Sequence, residues 1–238
     1  MAYQAVFKRY ESKYLLTHQQ KQRLLAAMEP YMALDSYGRT TIRNIYFDTE
    51  NFRLIRRSLE KPVYKEKLRL RSYAREGQTG PVFVELKKKY RDVVYKRRLA
   101  MSEEEALAWL CGGGGGDGSQ IGEEIEYFLD YYGPLKPAVF LSYEREAYYC
   151  RDGTDFRVTF DENILARRED IRMDAGEGGS SLMDGDRVLM EIKCSGGIPL
   201  WLTGFLTRER IFKTSFSKYG TAYKNLIFPK LKGEGIYV

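Results

Sequence analysis

The sequence contains a single histidine, His18, and only three cysteines among its 238 residues. His18 lies in a polar stretch typical of the start of a helix, so catalysis by a Ser–His or Cys–His pair and a histidine-rich metal site have almost no support. Cys111, Cys150 and Cys194 are odd in number and show no CxxC spacing. This pattern argues against both a disulfide framework and a zinc site.

No apolar run approaches the roughly 18 residues that indicate a membrane-spanning helix, and the N-terminus lacks the apolar core of a signal peptide. We therefore expect a soluble, cytoplasmic protein with no membrane segment in this chain, which leaves room for a membrane partner. The formal net charge of +6 favours an anionic partner. We expect no nucleic acid, because there is no RNP, KH or helix-turn-helix signature; salt-sensitive RNA binding would revive that alternative.

One stretch, residues 82–89, alternates apolar and charged side chains at period two, which is typical of a β-strand. Val84 and Leu86 share one face, whereas Glu85 and Lys87 share the other. The same arrangement recurs at residues 11–13, 69–71 and 191–193. Several strands with one apolar and one charged face predict a closed sheet whose charged side lines a wet lumen.

Turn signals divide the chain into about eight predicted strands, at residues 7–16, 40–48, 64–73, 82–89, 93–100, 137–150, 156–161 and 188–195, with residues 164–168 as a candidate for one more. Helices are predicted to begin near Thr17, Asn51, Ser102, Gly122, Leu200 and Ser217. Sequential strands joined by turns predict one α+β domain over residues 1–238, an eight-stranded antiparallel β-barrel with helices inserted between strands and at the C-terminus. The glycine-rich residues 112–118 predict a flexible loop.

Four cations, Lys65, Lys67, Arg69 and Arg71, share one face of the predicted strand 64–73. Like charges on one strand face repel one another unless an anion lies between them. The alternative interpretation is an edge strand, which proteins often protect with Lys and Arg side chains. The sequence alone leaves both interpretations open.

The charges predicted to face the lumen do not balance. Ten are cations: Lys13, Arg69, Arg71, Lys87, Lys96, Arg98, Arg145, Arg157, Lys193 and Lys218. Four are anions: Glu11, Glu85, Asp161 and Glu191. Because buried charges must be paired or contact a ligand, the surplus of six positive charges predicts a triphosphate or a longer phosphate chain in the lumen.

The same residue types suit phosphoryl transfer. Arg offers a planar fork and Lys a point charge to phosphate oxygens, while the carboxylates suit a hard divalent metal, Mg²⁺ or Mn²⁺. Phosphoryl transfer depends mainly on positioning and charge neutralisation and needs no nucleophilic side chain. The lack of a usable histidine therefore does not argue against phosphoryl transfer.

An ordered set of short motifs then resembles the VTC domain of the triphosphate tunnel metalloenzyme, or CYTH-like, superfamily. The motifs are RYESKY (9–14), IYFDT (45–49), KLRLR (67–71), VELK (84–87), SYER (142–145), RVTFD (157–161), MEIK (190–193) and FSKY (216–219). The resemblance implies an eight-stranded antiparallel tunnel. It also implies a polyphosphate polymerase, which transfers the ATP γ-phosphate onto a polyphosphate or pyrophosphate acceptor with Mn²⁺ or Mg²⁺.

The resemblance also implies roles for individual residues. Catalytic contacts to the reacting phosphates would come from Lys13, Arg69, Arg71, Lys87, Arg145 and Lys218. Further phosphate or nucleotide contacts would come from Lys96, Arg98, Tyr143, Arg157, Lys193 and Ser217. The resemblance makes Glu191 the main metal ligand, and the carboxylate chemistry of the lumen adds Glu85 and Glu11 as metal ligands.

Two positions depart from the family pattern. Arg9 occupies the first glutamate position of the Glu-x-Glu-x-Lys start of related triphosphatases, which argues against a two-metal triphosphatase. Ser215 stands where VTC members often carry a lysine, with Lys213 nearby, and this predicts a weaker phosphate grip at one end of the tunnel. Two alternatives to the polymerase stay open: a metal-dependent triphosphate or polyphosphate hydrolase, and a non-catalytic polyphosphate- or nucleotide-binding module.

Overall fold

The computed structural model of the protein describes residues 10–74, 80–91 and 93–233. Its strands are β1 (Tyr10–Thr17), β2 (Met32–Leu34), β3 (Thr40–Asp48), β4 (Tyr64–Ser72), β5 (Val82–Tyr90), β6 (Val93–Met101), β7 (Lys136–Cys150), β8 (Arg157–Arg167), β9 (Ser180–Ser181), β10 (Arg187–Cys194) and β11 (Lys213–Thr214). Its helices are α1 (His18–Met28), α2 (Arg53–Leu59), α3 (Glu103–Leu110), α4 (Gln120–Tyr132), α5 (Leu200–Arg208), α6 (Lys218–Ala222) and α7 (Phe228–Gly233), with a π-helical turn at Tyr223–Ile227. Arg9 and the predicted strand residues 7–8 lie outside the described residues.

Side-chain caps determine where three of the helices begin. The Thr17 hydroxyl accepts a hydrogen bond from the Gln20 backbone N–H at 3.1 Å, and the Gln20 side chain accepts one from the Thr17 N–H at 2.9 Å. Ser102 and Glu105 form the same reciprocal capping box at α3, and Ser217 caps α6. The predicted helix starts at these three positions are confirmed. Within the described ranges, no helix is long and apolar enough to cross a membrane.

The long strands lie in the order β1-β10-β8-β7-β3-β4-β5-β6, and each is antiparallel to its neighbours. They correspond to the predicted segments, except that residues 156–161 and 164–168, predicted as separate, belong to the single strand β8. Because β4 lies between β3 and β5, its four cations do not protect a sheet edge. The edge-strand interpretation of this segment is therefore wrong.

The predicted closed barrel of eight strands is wrong in two respects. The sheet has eleven strands, because β2 pairs with β7, β9 pairs with β8 and β11 pairs with β1. The sheet is also open, since β11 hydrogen-bonds to the second edge of β1 at Lys13 and Tyr14. With that edge occupied, β1 does not pair with β6, and no ladder between these two strands closes the barrel in the described part of the chain.

The open sheet nevertheless curls until distant strands face each other. The Lys87 ammonium on β5 lies 3.3 Å from the Glu11 carboxylate on β1, although five strands separate β5 from β1 in the sheet. Such a contact is made only across a concave face, which we call the cleft. The cleft is defined by Glu11, Lys13, Lys67, Arg69, Arg71, Glu85, Lys87, Lys96, Arg98, Tyr143, Arg145, Thr159, Asp161, Glu191, Lys193, Ser217 and Lys218.

Apolar residues of the opposite parity face away from the cleft and form the core. Met190 and Ile192 of β10 pack with α1 and α5, while Val84 and Leu86 of β5 pack with Trp109 of α3 and with α4. A third apolar cluster packs the C-terminal helices against cleft-side residues of β3 and β7. Alternation thus divides each long strand between core and cleft, and the C-terminal helices cover one end of the cleft.

The glycine-rich residues 112–118 connect α3 to α4 without helix or strand, as predicted. The Gly116 N–H donates to Glu126 Oε1 at 2.7 Å. A Cβ atom at Gly116 would lie 2.8 Å from the Trp109 ring and 2.9 Å from Glu126 Oε1. Glycine is therefore required where the loop folds over Trp109, whereas the flexibility of the loop stays a prediction.

Candidate functional site

The Glu85 carboxylate, on β5, is the centre of one group of charges in the cleft. Its side chain is 1% exposed and accepts hydrogen bonds from Arg69 Nε and Arg98 Nε, both at 2.8 Å. Lys96 Nζ lies 2.7 Å from Glu85 Oε1. Burial alone raises the pKa of Glu85, but Arg69, Arg71, Lys96 and Arg98 hold it well below its usual range. Glu85 therefore stays ionised and fixes the guanidinium groups around it.

Arg71 connects this group to the floor of the cleft. Its Nε donates to Asn44 Oδ1 at 2.9 Å, and its Nη2 donates to Tyr143 Oη at 3.0 Å. Lys218 Nζ lies 4.4 Å from the centre of the Tyr143 ring, and the Arg145 guanidinium lies 5.2 Å from it. Cation–π contacts of this kind stabilise cations without neutralising them. Tyr143 thus joins the two sides of the cleft.

A second group of charges surrounds Asp161 of β8 and Glu191 of β10. Arg145 donates two hydrogen bonds to Asp161, at 2.5 and 2.6 Å, and Lys218 donates a further one. Glu191 has longer contacts, with Lys193 Nζ at 3.3 Å and Lys218 Nζ at 3.6 Å. Burial raises the pKa of both carboxylates, but the surrounding cations outweigh it and lower the pKa of each.

Glu11 and Lys13, on β1, link the two groups. Lys13 Nζ lies 3.3 Å from both Glu11 and Glu191, and Lys87 Nζ lies 3.3 Å from Glu11. Burial lowers the pKa of Lys13, but the carboxylates of Glu191 and Glu11 outweigh it and raise the pKa above its usual value. Burial likewise raises the pKa of Glu11, but Lys87 and Lys13 lower it. Both β1 side chains therefore carry their charges at neutral pH.

Lys67, on β4, has different surroundings. Its Nζ donates to Ser217 Oγ at 2.9 Å, and no carboxylate of the described residues lies within ion-pair distance of it. Burial, together with the positive charges of Lys13 and Lys87, lowers the pKa of Lys67 to about 7. Burial also lowers the pKa of Lys96, to about 8, in spite of Glu85. Lys67 is therefore only partly charged near neutral pH, whereas Lys96, beside Glu85, keeps most of its charge.

The cleft brings together most of the side chains that the sequence indicates. In it lie Lys13, Arg69, Arg71, Lys87, Lys96, Arg98, Tyr143, Arg145, Lys193, Ser217 and Lys218. Arg157 is the exception: it pairs with Lys193 in the sheet, but its exposed side chain, unlike that of Lys96, forms no ion pair with the described residues. Ser215 is also exposed.

Sequence reasoning did not assign Lys67 or Thr159 to the site. Both share strand parity with assigned neighbours, Lys67 with Arg69 and Thr159 with Asp161, and parity was the signal that could have found them. With Lys67 in place of Arg157, the residues that define the cleft again include ten cations and four carboxylates. The predicted surplus of six formal positive charges is therefore retained with one member exchanged.

The three predicted metal ligands do not form one group. Glu11 and Glu191 share the Lys13 ammonium, whereas Glu85 shares no cation with either of them among the described residues. In the same ranges, no three His, Cys, Asp or Glu side chains gather in a way that could hold a metal. The protein side chains therefore do not enclose an ion by themselves.

A metal shared with substrate fits better. Thr159 pairs with Glu191 across β8 and β10, and its buried hydroxyl has no hydrogen-bond partner. This orphaned oxygen lies beside carboxylates that supply further hard oxygen atoms. Mg²⁺ is commonly held by one or two carboxylates together with substrate phosphates, and Glu191 with Glu11 fits that arrangement, without Glu85.

The fold is similar to solved structures at low sequence identity. A candidate adenylate cyclase from Bacillus halodurans is 16% identical, with a TM-score of 0.56 over 90% of this chain and 95% of that chain. A candidate adenylyl cyclase from Hippeastrum, described as having a dominant triphosphatase activity, is 16% identical, with a TM-score of 0.53 over 91% and 95%. A candidate adenylate cyclase from Vibrio parahaemolyticus is 11% identical, with a TM-score of 0.50 over 91% and 98%. These likenesses show the fold.

The sequence itself identifies the family. No curated protein sequence matches the chain. The family model of the VTC domain, by contrast, matches residues 8–227. That range runs from the start of β1 to the π-helical turn and includes every side chain that defines the cleft. The chain therefore belongs to the VTC domain family.

Proposed function

We propose that this chain is a polyphosphate polymerase-like enzyme that transfers the γ-phosphate of ATP onto polyphosphate or pyrophosphate in the cleft. The observation that carries the proposal is the charge of the cleft, where ten cations face four carboxylates. A chain of phosphates is the ligand that best balances such a surplus along an extended concave face. Membership of the VTC domain family supports the same substrate class.

The arginines are arranged to receive phosphate before any substrate arrives. Glu85 holds Arg69 and Arg98 in fixed orientations, and Tyr143 and Asn44 hold Arg71. A guanidinium that is already oriented loses less conformational entropy when its free N–H groups bind phosphate oxygens. This side of the cleft is therefore suited to bind a phosphate chain rigidly.

The proposed reaction needs positioning and charge neutralisation. A terminal oxygen of the acceptor phosphate attacks the γ-phosphorus of ATP, and the bond from that phosphorus to the bridging β–γ oxygen breaks. ADP leaves, and the acceptor gains one phosphate. Lys13, Arg145 and Lys218 lie beside Glu191, where they can neutralise the charge that develops on the transferred group and on the leaving oxygen.

Glu191 with Glu11 would hold Mg²⁺ or Mn²⁺ together with the phosphates, and the ion would neutralise phosphate oxygens in the transfer. Lys13 contacts both carboxylates at 3.3 Å. If these carboxylates held an ion, the Lys13 ammonium would be available to bind a phosphate oxygen instead.

The test is to incubate the purified protein with ATP and Mn²⁺, with and without pyrophosphate. We expect ADP together with acid-stable phosphate polymer, detected on stained gels. Both products should disappear in Arg69→Ala and in Glu191→Ala. Lys88→Ala, which changes a lysine on the outer face of β5 beside Glu124, should retain both products.

A hydrolase acting in the same cleft is the second candidate, because one of the similar structures is described as a triphosphatase. It predicts orthophosphate without polymer in the same assay. A non-catalytic binding module is the remaining alternative. It predicts no turnover, with tripolyphosphate binding that is lost in Arg69→Ala.

A further inference from the structure

Lys67 is the member of the ten-cation set that lacks a carboxylate partner in the described residues. Each of the other nine lies within ion-pair distance of Glu11, Glu85, Asp161 or Glu191. Lys67 Nζ instead donates to Ser217 Oγ at 2.9 Å. A positively charged group without a counter-ion in a half-buried position is destabilising unless a ligand provides the negative charge.

The groups that face Lys67 increase that cost. Lys65 and Arg69 flank it on β4, Lys87 lies opposite it on β5, and Lys13 approaches from β1. The Glu11 carboxylate, on β1, is engaged by Lys13 and Lys87. An apolar side chain of similar length would avoid this repulsion.

The hydroxyl of Ser217 is free to donate a hydrogen bond to an anion. Ser217 Oγ accepts hydrogen bonds from Lys67 Nζ at 2.9 Å and from the Gly220 backbone N–H at 3.1 Å. A hydroxyl oxygen has two acceptor lone pairs and one proton to donate. Both lone pairs are engaged, so the proton is left to point at an acceptor such as a phosphate oxygen.

We propose that Lys67 and Ser217 together form a phosphate subsite of the cleft, in which the ammonium and the hydroxyl donate to the same phosphate group. This inference rests on the proposed function, because it specifies how the cleft holds its phosphate chain.

Phosphate binding at this subsite should take up a proton. The amine of Lys67 is partly neutral in the free protein, because burial and the neighbouring cations lower its pKa to about 7. A phosphate oxygen against Nζ favours the charged form and raises that pKa. At pH 7.5 this group should therefore take up a fraction of one proton for each tripolyphosphate bound.

The experiment is calorimetric titration of the full chain with tripolyphosphate at pH 7.5, without nucleotide or metal, in two buffers of different ionisation enthalpy. In Lys67→Met we expect the Kd to rise at least about tenfold and proton uptake to fall. The melting temperature should stay the same or rise, because a repelled charge is removed. The matched control Lys88→Met, on the outer face of β5, should bind like the wild type.

Lys67→Arg separates charge from protonation. Arginine remains charged at all relevant pH values, so this variant should keep its Kd within about threefold and lose the proton uptake. If uptake in Lys67→Arg equals that of the wild type, another group takes the proton and the protonation part of the inference is wrong. If Lys67→Met binds within twofold of the wild type, or melts at a lower temperature with unchanged affinity, the subsite is wrong and Lys67 only anchors Ser217.

The outcomes also distinguish this inference from the proposed function. Wild-type protein that fails to bind tripolyphosphate overturns both. Wild-type binding that is lost in Arg69→Ala but unchanged in Lys67→Met overturns only the subsite. Binding that depends on Lys67 without polymer formation from ATP supports the subsite and contradicts the polymerase.

Discussion

The two charged groups of the cleft use similar residues in different ways. Glu85 accepts hydrogen bonds from Arg69 Nε and Arg98 Nε at 2.8 Å and a further one from Arg98 Nη2, and Lys96 Nζ lies 2.7 Å from it. Glu191 has cation contacts of 3.3 to 3.6 Å, and three of its four partners are lysines. The Glu85 carboxylate is therefore closely hydrogen-bonded, whereas the Glu191 carboxylate, unlike its neighbour Asp161, is held mainly by charge attraction.

This difference suggests a division of labour. Bonds between a guanidinium and a carboxylate are directional and fix orientation, so Glu85 is suited to hold arginines in place for a phosphate chain. A lysine ammonium is a compact charge on a flexible stem, and a contact of 3.3 Å is readily exchanged for a phosphate oxygen or a metal ion. Glu85 is expected to support the architecture, and Glu191 the chemistry.

The largest expected effect separates the two groups by stability. Glu85→Gln leaves Arg69, Arg71, Lys96 and Arg98 without their buried counter-ion, so we expect the free energy of unfolding to fall by about 3–5 kcal/mol. Urea denaturation followed by circular dichroism measures this loss. The matched control is Glu124→Gln, which removes a half-buried glutamate that binds Arg97 and Lys88 on the outer face and should cost about 1 kcal/mol or less. Equal losses in the two variants would contradict the architectural role of Glu85.

The next effect separates the groups by activity. Glu191→Gln removes the charge at the proposed metal position, so we expect ATP turnover to fall about 100-fold and the Mn²⁺ concentration for half-maximal activity to rise. Its loss of unfolding free energy should be smaller than that of Glu85→Gln, because its contacts are longer. A Mn²⁺ dependence in Glu191→Gln that matches the wild type would remove Glu191 from the metal site.

The sequence predicts the long strands of the sheet but not its short ones. Alternation predicted all eight long strands and their charged faces, because every second side chain must enter the core. The strands β2, β9 and β11 have two or three residues each, which is too short for an alternating pattern to be recognised. The barrel stays open because β11 occupies the free edge of β1. The two strands that pair there are about 200 residues apart in the sequence, so no local pattern predicts the contact.

Strand parity indicates the face on which a side chain lies, but not its depth. Arg157, Thr159 and Asp161 share one parity, yet Arg157 is exposed and Asp161 is completely buried. Parity also placed Lys67 beside Arg69 without showing that only one of them meets a carboxylate. These distinctions arise from the curl of the sheet, which brings strands together that are far apart in sequence.

The pH dependence of stability gives a smaller effect that tests the charges of Glu85 and Glu191. The pKa values of Glu85 and Glu191 in the folded protein lie below their unfolded values, because the surrounding cations outweigh burial. Their stabilising contribution is therefore complete above the unfolded pKa of about 4.3 and is lost as the pH falls below it. Urea unfolding between pH 7 and pH 3 should show stability falling below about pH 4.5, with a shallower slope in Glu85→Gln. An equal slope in this variant would mean that Glu85 is not held in its charged form.

The smallest effect tests where the cleft ends. Arg157 resembles a phosphate ligand by its motif, but its side chain is exposed and lies outside both groups. Arg157→Ala should therefore change stability by less than about 0.5 kcal/mol and weaken tripolyphosphate binding by less than about threefold. Arg145→Ala, which removes the partner of Asp161 within the second group, should weaken binding more than about tenfold. If the two variants lose affinity equally, the phosphate chain draws Arg157 inward and the cleft extends to the start of β8.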